Sequence, residues 1–362
     1  MKTNYLILIA LLPVIIGGCN LEEGSRPAAG ADKTLTIVTW NVQALFDGVE
    51  TGQEYQEYGS TAGWTAAKYQ ARLTAIGQAV ERMGAPEVLA LQEVENERVA
   101  LDLAEGPLAK QGYRWTYFAN VPGASLGLAV LSKIPLEQCV AHSITRGGET
   151  IPRPILEVTI RPESSPLALF ICHWKSKAGN NETDEALRRA AARIISRRVA
   201  ELEVQTPGIP AIVMGDLNES HDEFYRQSGA LVSALLPDDP KAAELALLGA
   251  IPGHKDFLVL SGDKPPASRY FMPDAAVFYS PWHNDLSQGS YNYRNSWETI
   301  DHFLLTSPLF DAVGWEYSLC ETVTIEPFVN AGGYPNSYNP RTGNGLSDHI
   351  PLRLTLVFAG NL

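Results

Sequence analysis

Short apolar, β-rich runs that each stop on a polar residue recur along this chain, and they limit what it can fold into. Leu35-Thr36-Ile37-Val38-Thr39-Trp40 stops at Asn41, and Val88 to Leu91 leads into Gln92-Glu93. Leu167 to Cys172 stops at His173, and Ile212-Val213-Met214 stops at Gly215-Asp216-Leu217-Asn218. Asp301 opens the run Phe303 to Leu305, and Asp348-His349 stand just before the strand Leu352 to Phe358. Runs this short and this rich in β-branched residues are strands buried on both faces. The ends of neighbouring strands meet along one edge of a sheet, so polar residues placed there converge in one cleft. Taken singly, an Asx residue after a strand is a turn former, and an Asp-His pair is two polar surface residues.

Helical periodicity separates the strands. Tyr69, Leu73, Ile76, Val80 and Met83 recur at three- and four-residue steps, and Gly84 and Pro86 end that helix. Further helices are expected over about 96–110, over 184–203, and near 241–248. Strands are also expected at 115–118, 128–131, 155–160 and 299–305. The 184–203 helix carries Arg188, Arg189, Arg193, Arg197 and Arg198. A solvated face laced with ion pairs accounts for them better than nucleic-acid contact does. Strands and helices alternate early, and strands dominate later. No repeat and no internal linker divides the chain, so one α/β domain built on two sheets is expected over 34–362.

The N-terminus reads as a targeting segment. Lys2 precedes an apolar run, Tyr5 to Ile16, that is too short for a typical membrane span. Ile16-Gly17-Gly18-Cys19 resembles the processing box of bacterial lipoproteins. That resemblance implies removal of residues 1–18, acylation of Cys19, and a membrane contact through the lipid; a plain secretory signal is the simpler alternative. Residues 19–33 then form a flexible tether. Asn20 after the acylated cysteine points to the outer membrane of the bacterial cell envelope. Cys139, Cys172 and Cys320 cannot all pair with one another, and no CxxC spacing supports zinc. One disulfide or three small buried side chains both fit.

The chain has 28 basic and 41 acidic residues, a net charge of −13. Such a balance disfavours passive duplex binding. It leaves room for a phosphoester substrate where a cation and a few local bases reverse the sign.

Taken together and in order, Thr39-Trp40-Asn41-Val42, Leu91-Gln92-Glu93-Val94, Gly215-Asp216-Leu217-Asn218, Thr299-Ile300-Asp301-His302 and Ser347-Asp348-His349-Ile350-Pro351 resemble the endonuclease/exonuclease/phosphatase superfamily. The resemblance runs from about Leu35 to Val357. It implies a four-layer sandwich of two β-sheets flanked by helices, and hydrolysis of phosphodiesters by activated water with Mg²⁺ or Mn²⁺. By the same resemblance Glu93 ligates the cation, with Asn41 and Asp348 beside it. Asp216 orients or deprotonates the water, and Asn218 donates to a phosphate oxygen. Asp301 fixes and charges His349. His173 stands where secreted deoxyribonucleases and sphingomyelinases carry a histidine able to protonate the leaving oxygen. Arg153 and Lys175 are candidates for binding substrate phosphate. Leu126 stands nearest to where many abasic-site enzymes and deoxyribonucleases carry an active-site tyrosine, a departure that argues against an abasic-site repair role. A secreted nuclease acting on DNA or RNA is the leading expectation. A hydrolase of lipid headgroups or small phosphoesters, and a non-catalytic surface lipoprotein, are the alternatives. The aromatics of Gly289 to Arg294 either stack on bases or pack their own loop. Nothing in the sequence points to a protein partner.

Overall fold

The computed structural model describes residues 33–177, 181–248 and 255–360. The expected signal segment, and the tether up to Asp32, lie outside them. Six strands form one sheet: β1 (Thr34–Leu45), β2 (Val88–Val94), β3 (Trp115–Ala119), β4 (Gly127–Ser132), β17 (Gly314–Thr322) and β18 (Leu352–Gly360). Their order is β17-β18-β1-β2-β4-β3, with β1 and β2 parallel and the other pairs antiparallel. Eight strands form the second sheet: β5 (Leu136–His142), β8 (Ile155–Ile160), β9 (Leu167–His173), β10 (Ala211–Asp216), β11 (Leu235–Pro237), β12 (Leu258–Ser261), β13 (Val277–Tyr279) and β16 (Asp301–Leu305). Their order is β11-β12-β13-β16-β10-β9-β8-β5. Two small hairpins, β6 (Thr145–Arg146) with β7 (Glu149–Thr150) and β14 (Tyr291–Tyr293) with β15 (Ser296–Glu298), stand apart from both sheets.

Strand side chains alternate between faces, and here both faces are buried. Leu35, Ile37, Val88, Ala90, Leu169, Ile171, Ile212, Met214, Phe303 and Leu305 fill the space between the sheets. Their alternates Val38, Trp40, Leu89 and Leu91 pack under helices α1 (Ala66–Arg82) and α2 (Glu97–Glu105). On the other side Phe170, Cys172, Val213 and Leu304 pack with α3 (Asn181–Gln205). The result is the four-layer sandwich expected from the sequence. Each fully buried aliphatic or aromatic side chain contributes roughly 1.5–3 kcal/mol of transfer free energy. The helix starts follow local chemistry: Thr65 accepts from Lys68 N at 3.3 Å to cap α1, and Asn96 accepts from Val99 N at 3.0 Å to cap α2. Two short helices complete the set, α4 (Glu223–Arg226) and α5 (Pro240–Leu248).

Three features qualify the sequence reading. The arginines of α3 do form ion pairs, yet most reach beyond the helix: Arg188 to Glu219, Arg189 and Arg193 to Asp256, Arg198 to Glu157. Cys139, Cys172 and Cys320 are all free thiols, the last two buried. Among the described residues no helix is long and apolar enough to cross a membrane.

Candidate active site

Strand parity gathers the predicted polar residues. In β1 the odd positions 35 and 37 face the second sheet, so Asn41 faces it too. In β9 the same rule carries from Ile171 to His173, in β10 from Met214 to Asp216, and in β16 from Phe303 back to Asp301. Register then aligns them: Asp216 pairs with His173 on one side and with Asp301 on the other. All four side chains therefore emerge at the same end of the space between the sheets.

Glu93 breaks parity. As an odd residue of β2 it belongs with Leu89 and Leu91 under the helices. The ladder shifts register between Gln92 and Val94, and Glu93 takes φ +66°, which swings its carboxylate into the cleft. Facing it, β1 also shifts register between Asn41 and Leu45, with Gln43 at φ +53° and Ala44 at φ +52°. Such left-handed residues cost energy and concentrate where a site needs a particular backbone. The bulge aims Ala44 N at Glu93 Oε2, 2.8 Å away. At the neighbouring turn Gly215 takes φ +127°, and a Cβ there would lie 2.0 Å from the Cys172 carbonyl oxygen. Only glycine lets β10 approach β9 this closely.

The centre of the cluster is Asp216, which is 2% exposed. Its Oδ1 accepts from Asn218 N at 2.9 Å, and its Oδ2 accepts from Asn41 Nδ2 at 3.0 Å. The same Oδ2 is 3.6 Å from His173 Nε2 and 3.9 Å from His349 Nε2. On the far side of His349, Nδ1 donates to Asp301 Oδ2 at 2.8 Å, and Ser290 Oγ donates to that oxygen at 2.6 Å. Glu93 Oε1 accepts from Asn41 Nδ2 at 3.1 Å and lies 3.8 Å from His173 Nε2.

The two histidines differ in charge. Burial lowers His349, but Asp301, Asp216 and Asp348 overcome it and hold its pKa well above the ordinary value. His173 is pushed well below by burial, then by Arg153 and His349. His349 is the imidazolium and His173 the neutral ring. Burial raises the pKa of Asp216, with Asp301 adding to it against the pull of His349. Burial likewise raises Asp348, which Glu93 reinforces.

The remaining predicted residues lie around this centre. Asn218, at φ +52°, turns its amide to the Trp174 carbonyl at 3.1 Å, and Arg153 donates to the same carbonyl. Both thus sit beside His173. Lys175 is not brought to the cluster: its amine lies 3.4 Å from Asp184 and donates to Ser176 O. Asn41 Oδ1 accepts from Gln43 N at 3.0 Å, so its nitrogen, not its oxygen, faces the carboxylates. Ser290, Tyr291 and Ser347 lay in segments singled out from the sequence but without roles of their own, and Gln43 and Arg72 were not anticipated. Tyr291 packs on His349 with ring centroids 4.8 Å apart, and Ser347 Oγ donates to Asn41 O at 2.6 Å. Arg72 is fully buried behind the bulge; it donates to Val42 O at 2.5 Å and lies 3.7 Å from the Tyr338 ring centre. An arginine on the apolar face of α1, one turn from Tyr69 and Ile76, was the available signal.

Glu93, Asp216, Asp301 and Asp348 surround one imidazolium, an oxygen-rich and net negative donor set that suits a hard divalent cation. Asp216, Asp301 and His349 have ligand atoms within 4.8 Å of one another. That trio is better described as an ion pair, because a protonated imidazole cannot ligate a metal. Glu93, whose side chain is 21% exposed and which among the described residues pairs with no lysine or arginine, is the better-placed ligand.

The sequence matches the model of the Endonuclease/Exonuclease/phosphatase family over residues 36–245. No curated protein matches it. Among solved structures, truncated Caenorhabditis elegans TDP2 is similar at TM-score 0.52 and 15% identity, over 90% of this chain and 97% of that one. An endonuclease/exonuclease/phosphatase family protein from Bacteroides thetaiotaomicron gives 0.51 and 14%, over 91% and 99%. D. rerio TDP2 complexed with a single-strand DNA product gives 0.51 and 14%, over 90% and 99%. These structural likenesses speak for the fold, and the family match speaks for kinship. The chain belongs to the endonuclease/exonuclease/phosphatase family, whose members are divalent-metal-dependent hydrolases acting on phosphodiester bonds.

Proposed function

We propose that this protein is an exported phosphodiesterase, anchored in the cell envelope by a lipid on Cys19, that cleaves nucleic acid. The observation that carries the catalytic part is the Asp301–His349 pair facing Asp216, with Glu93 at the opposite end of the same strand-end layer. Glu93, with Asp348 beside it, would hold a Mg²⁺ or Mn²⁺ ion, which when bound would supply charge neutralisation at the phosphate oxygens. His349 holds a proton on Nε2, where it stabilises developing negative charge. Asp301 fixes the ring's orientation and its charge through Nδ1–H. Asp216 has its pKa raised by burial, toward the range in which a carboxylate takes a proton from water. Asn41 bridges Asp216 and Glu93 and keeps the two ends in register. Asn218 and Arg153, side by side at the Trp174 carbonyl, are the groups nearest to hand for a phosphate oxygen. Lys175 needs to leave Asp184 before it can join them.

Nucleic acid is the favoured substrate for two reasons. The similar D. rerio protein was captured with a DNA product. Aromatic rings also border the site: Tyr291 packs on His349, and the exposed Tyr334 shares a cleft wall with Asp348. The purified protein with Mn²⁺ is expected to degrade single-stranded DNA or RNA, and Asp216→Ala to slow this by orders of magnitude with the fold intact. Release of phosphocholine or inorganic phosphate while nucleic acids stay intact refutes the nuclease reading in favour of a headgroup hydrolase. Cys19→Ser is expected to free the protein from membranes; unchanged membrane association refutes the anchor.

A further inference from the structure

The β14–β15 hairpin supports the site directly. Ser290 holds Asp301, Ile350 N donates to Ser290 O at 2.8 Å, and Tyr291 bridges antiparallel to His349. Antiparallel pairing places the next residues of the two segments, Asn292 and Asp348, beside one another. There a cleft of about 230 Å³ opens, lined by Asn292, Asn295, Tyr334, Pro335, Ser337 and Asp348. Tyr334 is 43% exposed and stacks on Trp297, with centroids 5.7 Å apart and planes 2° from parallel. Asn292 Nδ2 is buried and has no hydrogen-bond partner.

We propose that this cleft is a nucleoside subsite, which takes the base and sugar next to the scissile phosphate from a single strand. The proposal rests on the phosphodiesterase reading above and adds the chemistry of the neighbouring group. Position supports it, because Asp348 is a wall of the cleft and the chain neighbour of His349. The lining supports it too. A second phosphate would call for lysine or arginine, and none lines the cleft. An acyl chain would call for aliphatic walls, whereas these are two amides, a hydroxyl, a carboxylate, a proline and a phenol ring. Amides that read hydrogen-bonding edges, beside an aromatic face, are the chemistry that recognises an unpaired base. Asn292 Nδ2 has no hydrogen-bond partner, so this wall residue carries a donor that the fold itself does not use. Size adds the last constraint. A cleft of about 230 Å³ matches a single unpaired base better than a stacked base pair.

The test compares kcat/KM of the full chain with Mn²⁺ on thymidine 5′-(p-nitrophenyl phosphate) and on bis(p-nitrophenyl) phosphate, which lacks a nucleoside. The nucleoside ester is expected to be preferred at least tenfold. Asn292→Ala is expected to cut that preference by about tenfold, the range of one lost buried hydrogen bond. Asn295→Gly tolerates the native φ of +66° and gives a second, conformationally safe variant. Equal kcat/KM on the two esters, or variants that slow both by the same factor, overturn the subsite while leaving the phosphodiesterase reading intact. Faster cleavage of duplex than of single-stranded DNA also overturns it. If neither ester is cleaved, the phosphodiesterase reading itself falls, and the subsite with it.

Discussion

Replacing Asp301 with Asn isolates one electrostatic contact. Asp301 is 1% exposed, and its Oδ2 lies 2.8 Å from His349 Nδ1. Unit charges at that separation attract by roughly 6 kcal/mol at an effective dielectric of about 20, a ceiling because both charges are delocalised. The amide keeps the volume and removes the charge. A loss of only about 2 kcal/mol of transition-state stabilisation slows the reaction about 30-fold, and loss of the imidazolium altogether approaches the ~10⁴-fold limit of acid–base assistance. The assay is kcat/KM against pH, from 5 to 10, for wild type and Asp301→Asn. In the wild type His349 is held protonated above its ordinary pKa, so activity persists into the alkaline range. In the variant the alkaline limb moves to lower pH. The same shift has a stability side. A histidine raised in the folded state contributes stability that is fully present below its unfolded pKa of about 6.5 and is lost as pH rises through the folded value. The melting-temperature advantage of wild type over variant is therefore largest at acidic pH and shrinks toward alkaline pH. An unmoved alkaline limb, or activity within threefold of wild type in a folded variant, refutes this account of the pair.

Other outcomes follow from the same coordinates. Chelation is expected to abolish activity, and Glu93→Gln to remove most of the rise in melting temperature that Mn²⁺ gives the wild type; an equal rise in both excludes Glu93 as a ligand. Gly215→Ala drives a Cβ to 2.0 Å from the Cys172 carbonyl oxygen, and is expected to destabilise the fold by roughly 3 kcal/mol or more, read by chemical denaturation. A loss under 1 kcal/mol would mean that β9 and β10 can separate at no cost.

The sandwich was legible because its central strands are apolar on both faces. β8 was anticipated to the residue, and β1, β2, β9 and β10 in their apolar cores. Edge strand β3 was anticipated too, at 115–118, but edge strands β5 and β17 were not. β5 and β17 are half-exposed and carry Glu137, Gln138, Glu316 and Glu321, so no apolar run marks them. The site was legible to the extent that polar residues at strand ends announce themselves. Glu93 was found by its motif, yet its orientation depends on a bulge that no local composition signals. Ser290, Tyr291 and Arg72 act by holding other residues, and their partners are distant in sequence. Lys175 alternates in sequence as a phosphate ligand would, but Asp184 claims its amine.

Asn41 and Ser347 meet across 306 residues, and β18 lies against β1. The hydrolytic centre therefore cannot exist on a partial chain. Until the segment before β18 docks, His349 is missing from the place that Asp216 and Asp301 already share across β10 and β16. A polypeptide threaded unfolded through a membrane would cross as an inert chain and acquire its chemistry only on the far side. On the export proposed above, late assembly is a safeguard that keeps the chain inactive inside the cell that makes it.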